Sequence, residues 1–180
     1  MIKFQRISTQ NQELYQFMED LMVYSFPKEE YRDLSELKEF TDHRSNFHCN
    51  IIWEDEKPIG LMNYWDLDGF YYIEHFAITE SYRNGGIGKR SLNQLYHELN
   101  NPIVLEVEHP DTDLAERRIR FYEREGFTLW DKPYLQPPYK KGDDFLPLYL
   151  MARGNMDADQ YYEEVKRKIY SEVYNATVNQ

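Results

Sequence analysis

Phe70-Tyr71-Tyr72-Ile73-Glu74-His75-Phe76-Ala77-Ile78 runs through Thr79-Glu80-Ser81-Tyr82 into Arg83-Asn84-Gly85-Gly86-Ile87-Gly88-Lys89. The stretch 70–78 is rich in aromatic and β-branched residues and reads as a strand, with Tyr72, Glu74, Phe76 and Ile78 on one face and Tyr71, Ile73, His75 and Ala77 on the other. Past the glycines, Leu92, Leu95, Tyr96 and Leu99 form a helical stripe that Asn101-Pro102 stops. A strand, a glycine-rich turn and a helix start together make an anion site, because glycines let the backbone approach while unpaired N–H groups point outward. Spacing narrows the anion. A P-loop would need Gly at 83 and Ser or Thr at 90, and both positions are Arg. Gly86-x-Gly88-x-x-Ser91, with Glu106 as the later acid, approaches a dinucleotide fingerprint, but the chain before it reads as hairpins rather than βαβ units.

Working outward toward the N-terminus, Met1 to Ile7 alternates as a strand. Thr9 reads as an N-cap for a helix bearing Leu14, Phe17, Met18, Leu21 and Met22, ending near Phe26-Pro27. Leu34, Leu37 and Phe40 suggest a second short helix within the charged stretch 28–46. Phe47 to Trp53 and Ile59 to Trp65 flank Asp55-Glu56-Lys57-Pro58 as a hairpin. Toward the C-terminus, Ile103 to Glu108 is a β-branched strand. Asp113 with Glu116 resembles a capping box for the helix Leu114 to Arg124, which Gly126 ends. Phe127 to Trp130 and Leu146 to Met151 read as strands around a loop, Pro133 to Pro147. Tyr162, Val165, Ile169 and Val173 give the stretch 157–173 an amphipathic helical pattern.

The 180 residues suit one domain, with 1–152 as its body and 153–180 as a helical extension. Sixteen Tyr and ten Phe supply ample burial and argue against global disorder. Lys and Arg total 21 against 32 Asp and Glu, a net charge of −11, which repels phosphate backbones and argues against nucleic acid. Cys49 stands alone, so no internal disulfide or Cys-x-x-Cys metal site can form. The five His include no pair at i, i+4, and no metal is expected. No apolar run reaches the ~20 residues that cross a bilayer, and residues 1–8 lack a signal-peptide core, so the expected location is cytoplasmic with no membrane partner.

Arg83-x-x-Gly86-x-Gly88 resembles the pyrophosphate loop of the GNAT superfamily of acetyl-CoA-dependent N-acetyltransferases, whose pattern is Gln/Arg-x-x-Gly-x-Gly/Ala at a helix start. Tyr122-Glu123-Arg124-Glu125-Gly126-Phe127 is similar to the Tyr-x-x-x-Gly-Phe ending of that family's next helix, and the order of elements agrees through Met151. One position departs: where many members carry an Asn on this helix, the chain has Ala115. The resemblance implies an α/β (α+β) fold with a mixed, mostly antiparallel, splayed sheet flanked by helices, here with an extra C-terminal helix. It also implies acetyl-CoA as co-substrate. The backbone of Phe76, Ala77 and Ile78 would hold the pantetheine arm and thioester carbonyl, and Arg83, Asn84, Gly85, Gly86, Ile87, Gly88 and Lys89 the pyrophosphate.

Attack by an amine on a thioester needs a base, and departure of the thiolate is helped by an acid. Glu74 is the first candidate for the base, since aromatic neighbours on its strand face would raise its carboxyl toward the working range. Glu106 is its rival, because some family members place the base on the following strand, and Glu108 shares that face. Tyr122 is the candidate acid, against the plainer reading of a core aromatic at helical spacing with Ala115 and Ile119. The acceptor would be a small amine or a peptide amine, entering between the Phe26 to Phe40 region and the Pro133 to Pro147 loop with its Tyr134, Gln136 and Tyr139. Three other readings stay open: a non-catalytic acyl-CoA sensor, an interaction protein whose C-terminal helix forms a homodimer rather than packing on its own domain, and a nicotinamide-dependent oxidoreductase.

Overall fold

A computed structural model describes residues 1–177. In chain order the elements are β1 (Ile2–Arg6), α1 (Gln12–Ser25), α2 (Leu34–His43), β2 (Phe47–Glu54), β3 (Lys57–Asp66), β4 (Tyr71–Ile78), α3 (Ile87–Leu99), β5 (Ile103–Glu108), α4 (Asp113–Arg124), β6 (Thr128–Gln136), β7 (Leu146–Arg153) and α5 (Ala158–Lys168). The strands form an open mixed α/β sheet in the order β1-β2-β3-β4-β5-β7-β6. The pairs β1–β2, β2–β3, β5–β7 and β6–β7 are antiparallel. The chain divides into two compact units: Met1–Asp66 with Ile73–Leu99, and Leu67–Tyr72 with the chain from Asn100 onward.

In the first unit, α1 lies against β3, α2 against β2 and α3 against β1. β3 is buried over nearly its whole length instead of alternating, as expected of a strand covered on both faces. Its Leu61, Met62 and Trp65 are fully buried, as are Ile51 and Ile52 of β2 and Met18 and Met22 of α1. The N-cap of α1 is Asn11, not Thr9. Thr9 is instead tied to α2: its N–H donates to Asp42 Oδ1 at 2.9 Å and its hydroxyl to Asp42 Oδ2. Gly60 is required by close approach, since a Cβ there would stand 2.5 Å from the Ala77 carbonyl oxygen.

In the second unit, α4 packs on β5 and β6. Its N-cap is Thr112, whose hydroxyl accepts from the Ala115 N–H at 3.1 Å, so the helix starts one residue before the expected Leu114 and no Asp113–Glu116 capping box is needed. Its other end closes as a Schellman motif. Gly126, at φ +84°, donates to Glu123 O at 3.0 Å, Phe127 donates to Tyr122 O at 3.0 Å, and the Tyr122 and Phe127 rings meet edge to face at 5.5 Å. The Tyr-x-x-x-Gly-Phe spacing is therefore the geometry of a helix stop. β6 runs to Gln136, beyond the expected end at Trp130, because a register shift between Trp130 and Tyr134 leaves Pro133 free of the ladder that proline cannot join. Tyr134 and Gln136 are thus strand residues, not loop residues. The stripe of α5 continues through a π-helical turn, Ile169–Val173, and Tyr162, Val165, Ile169, Tyr170 and Val173 are buried within this chain. The last three residues of the expected 153–180 extension lie outside the described residues.

Candidate active site

The anion turn lies in the first unit. β4 ends at Ile78, a single 3-10 turn spans Glu80–Tyr82, and α3 begins at Ile87. Arg83 Nε donates to Ile78 O at 2.9 Å, tying the turn back to the strand end. Asn84 (φ 66°) and Gly86 (φ 73°) adopt left-handed backbone, and a Cβ at Gly85 or Gly86 would meet nothing within 4 Å. The intrahelical bond from Arg90 N to Gly86 O leaves the N–H groups of the first turn facing outward, and no acidic residue stands in that turn. A glycine turn open to solvent, a helix N-terminus and Lys89 beside it fit a pyrophosphate.

On β4 immediately before this turn, Glu74 has a side chain with no exposure although the residue itself is partly open, so its accessible surface is main chain. Phe76 is likewise partly open. Available main chain at this point is what a pantetheine arm needs for strand-like hydrogen bonds. The Glu74 carboxylate is ion-paired with Arg32 through Oε1 and accepts from Trp65 Nε1 at 2.7 Å through Oε2. Arg32 stands over the Phe40 ring at 4.4 Å and the Trp65 ring at 5.6 Å. Burial acts to raise the Glu74 carboxyl, but the Arg32 charge, the neighbouring His75 and the Trp65 and Arg32 hydrogen bonds together hold it below the ordinary value. This corrects the expectation of a raised carboxyl, which had aromatic neighbours but no Arg32. His75 is buried, its Nε2 sits 2.8 Å from Glu30 O, and burial lowers its ring below the ordinary range.

The second unit holds a different carboxylate. Glu106 of β5 is, like Glu74, partly open only as a whole residue, and the partners of its carboxylate are hydroxyls and an amide. Oε1 accepts from the Tyr134 hydroxyl. Oε2 accepts from Gln136 Nε2 at 2.5 Å and from the Tyr174 hydroxyl at 2.9 Å. Tyr72 also hydrogen-bonds to it. Burial raises this carboxyl above the ordinary value, and the Tyr134, Tyr174, Gln136 and Tyr72 donors draw it only part of the way back. Glu108 lies outside this cluster and pairs with Arg118 at 2.8 Å. Tyr122 lies on α4 between the Phe121 and Phe127 rings, and burial pushes its hydroxyl up to about 12, so it carries its proton at neutral pH. Ala115 is buried and contributes no polar group.

Arg32 and Tyr174 belong to these clusters but escaped the sequence reading. They lie 42 residues from Glu74 and 68 from Glu106, and neither is marked by a local pattern.

The sequence profile of the acetyltransferase (GNAT) family matches residues 11–127, which takes in the anion turn, both carboxylates and Tyr122. The chain belongs to the GNAT family. It is an acyltransferase, with acetyl-CoA as co-substrate. A solved protein of Bacteroides thetaiotaomicron assigned to the GNAT acetyltransferases is 56% identical, with a TM-score of 0.95 over 97% of this chain and 99% of that one. More distant GNAT folds include a Bacillus subtilis acetyltransferase in complex with CoA, at 13% identity and TM-score 0.56 over 87% of this chain and all of that one. An Elizabethkingia anophelis GNAT acetyltransferase with acetyl-CoA bound is 14% identical, with TM-score 0.57 over 84% of this chain and 97% of that one. No curated protein matches the sequence. No helix among the described residues is long and apolar enough to cross a membrane.

Proposed function

We propose that this GNAT protein moves an acetyl group from acetyl-CoA to a primary amine by direct attack, with Glu106 as the base. The carrying observation is the Glu106 carboxylate, raised by burial and held by neutral donors. A raised carboxyl takes a proton more readily than an ordinary one, which is what a base needs. Glu74, enclosed and neutralised by Arg32, fits a role in holding β4 in shape. Acetyl-CoA supplies the activated thioester. The turn Arg83 to Lys89 binds its pyrophosphate, and the main chain of Phe76, Ala77 and Ile78 orients the arm. The Tyr122 hydroxyl gives a proton to the departing sulfur and recovers one from water.

Direct transfer is supported by the state of the lone cysteine: Cys49 is buried, and burial pushes its thiol up to about 12, which leaves no ready thiolate to carry the acetyl group. The net charge of −11 favours a cationic acceptor in the long-range field. Distant structural neighbours include spermidine N-acetyltransferase chimeras and a ribosomal-protein S18-alanine N-acetyltransferase from Escherichia coli. Spermidine is an acceptor of the small kind and the S18 alanine one of the peptide kind, and a cytoplasmic location is part of the same proposal.

The test titrates acetyl-CoA calorimetrically into wild type and Gly86→Glu, then follows thiol release with polyamines and peptide N-termini. Gly86 is left-handed and faces open space, so glutamate there adds strain and a negative charge where the pyrophosphate sits. Affinity is expected to fall at least tenfold, and amine-dependent thiol release is expected only from the wild type. Equal binding by the two proteins would remove the pyrophosphate from this turn. Binding without amine-dependent release would leave a sensor rather than an enzyme.

A further inference from the structure

The chain beyond β7 lies outside the stretch that matches the family profile, 11–127, yet it reaches the candidate base. Three of its tyrosines anchor it within the second unit. The Tyr162 hydroxyl donates to Pro133 O at 2.5 Å, the Tyr170 hydroxyl donates to Leu135 O, and the Tyr174 hydroxyl donates to Glu106 Oε2 at 2.9 Å. Lys168 Nζ adds a bond to Asp68 O at 2.6 Å.

Tyr174 is the hub of the Glu106 cluster. While donating to the carboxylate, its oxygen accepts from Gln136 Nε2 at 2.8 Å and stands 3.2 Å from the Tyr72 hydroxyl. Its ring packs on Tyr139 at 5.0 Å. The preceding turn is π-helical, closed by Tyr174 N–H to Ile169 O at 3.4 Å, a departure from α geometry of the kind that gathers at functional sites. We propose that Tyr174 is a positioning residue for Glu106, so that the C-terminal segment is a built-in part of the base site and not an appendage to the acetyltransferase fold.

The physical effect is specific. A hydrogen bond donated to a carboxylate favours its charged form, so each lost donor makes the proton harder to remove. The groups facing Glu106 are Tyr72 from β4, Tyr134 and Gln136 from β6, and Tyr170 and Tyr174 from the C-terminal segment. None of these is a cation, so the hydroxyls and the amide carry the stabilisation. This inference rests on Glu106 being the base, and the experiment keeps the two apart.

Glutamate carboxyls of the full chain are followed by 13C NMR across pH in wild type, Tyr174→Phe and Glu106→Gln, the last assigning the Glu106 signal. Tyr174→Phe removes one oxygen and keeps the ring on Tyr139. Its Glu106 midpoint is expected at higher pH than in wild type, with the acid limb of kcat/KM for the best amine moving by the same amount and the high-pH plateau retained. The 3-fluorotyrosine form at position 174, a stronger donor, is expected to move both to lower pH and serves if Tyr174→Phe fails to fold. An unmoved Glu106 titration in a folded variant overturns the positioning role. A moved titration with an unmoved pH–rate profile supports the coupling but overturns Glu106 as the base, and full turnover by Glu106→Gln overturns the base role while the titration still decides the coupling.

Discussion

Glu74 and Glu106 are glutamates on the strands β4 and β5, and a sequence reading treats them as rivals for one role. Their surroundings separate them. Glu74 is enclosed with a guanidinium that is itself 3% exposed, lies over an aromatic ring, and has its carboxyl held below the ordinary range. Glu106 is bound by three tyrosines and a glutamine, and its carboxyl is raised. A cation beside a buried carboxylate favours its charged form, whereas neutral donors offset the effect of burial only in part. Residue type and strand position are shared, so the difference comes from the partner.

The sharpest way to break this contrast is to neutralise each carboxylate in turn. Glu106→Gln is expected to lower kcat/KM by ~10²–10⁴-fold, the range that general-base catalysis supplies. Glu74→Gln is expected to act mainly on stability. If Glu74→Gln shows the larger loss of turnover in folded protein, the assignment reverses.

Next in size is the partner itself. Arg32→Met strips the cation from an enclosed carboxylate and is expected to cost about 3–5 kcal/mol in urea unfolding, while Arg32→Met with Glu74→Leu recovers most of it. No equivalent cost attends Tyr174→Phe, because the Glu106 carboxylate keeps its other donors. A stability loss from Arg32→Met no larger than that of an exposed ion pair would show that the Glu74 site is not a structural lock.

The smallest effect concerns pH, and the two sites run in opposite directions. The folded Glu106 carboxyl is raised above its unfolded value, so its contribution to stability is fully present below the ordinary Glu range, ~4.3, and is lost as pH rises through the folded value. Glu106→Gln should therefore gain on wild type as pH increases. The folded Glu74 carboxyl is lowered, so its contribution is present above the unfolded value and lost as pH falls through the folded one. The deficit of Glu74→Gln should shrink on acidification. Parallel slopes in urea unfolding across pH would contradict the opposed environments.

Much of the scaffold was legible because it rests on local patterns. Alternation marked β1, two apolar runs around a turn marked β2 and β3, a helical stripe marked α3, and the glycines marked the turn before that helix. The misreadings share a cause. Pro133 looks like a loop residue until a bulge in β6 accommodates it, and Thr9 looks like a cap until Asp42 claims its hydroxyl. The Tyr122 motif was legible for a reason other than chemistry, since its spacing is satisfied in full by a Schellman stop.

The sequence by itself determined the family, the order of strands and helices, and the turn Arg83 to Lys89, because each is written in residues close together whose backbone preferences act locally. Only the tertiary structure decided which carboxyl is raised and which is lowered. That depended on Arg32 reaching Glu74 across 42 positions and Tyr174 reaching Glu106 across 68. A carboxylate's proton affinity is set by the charges and donors within a few ångströms of it, and those are placed by the fold.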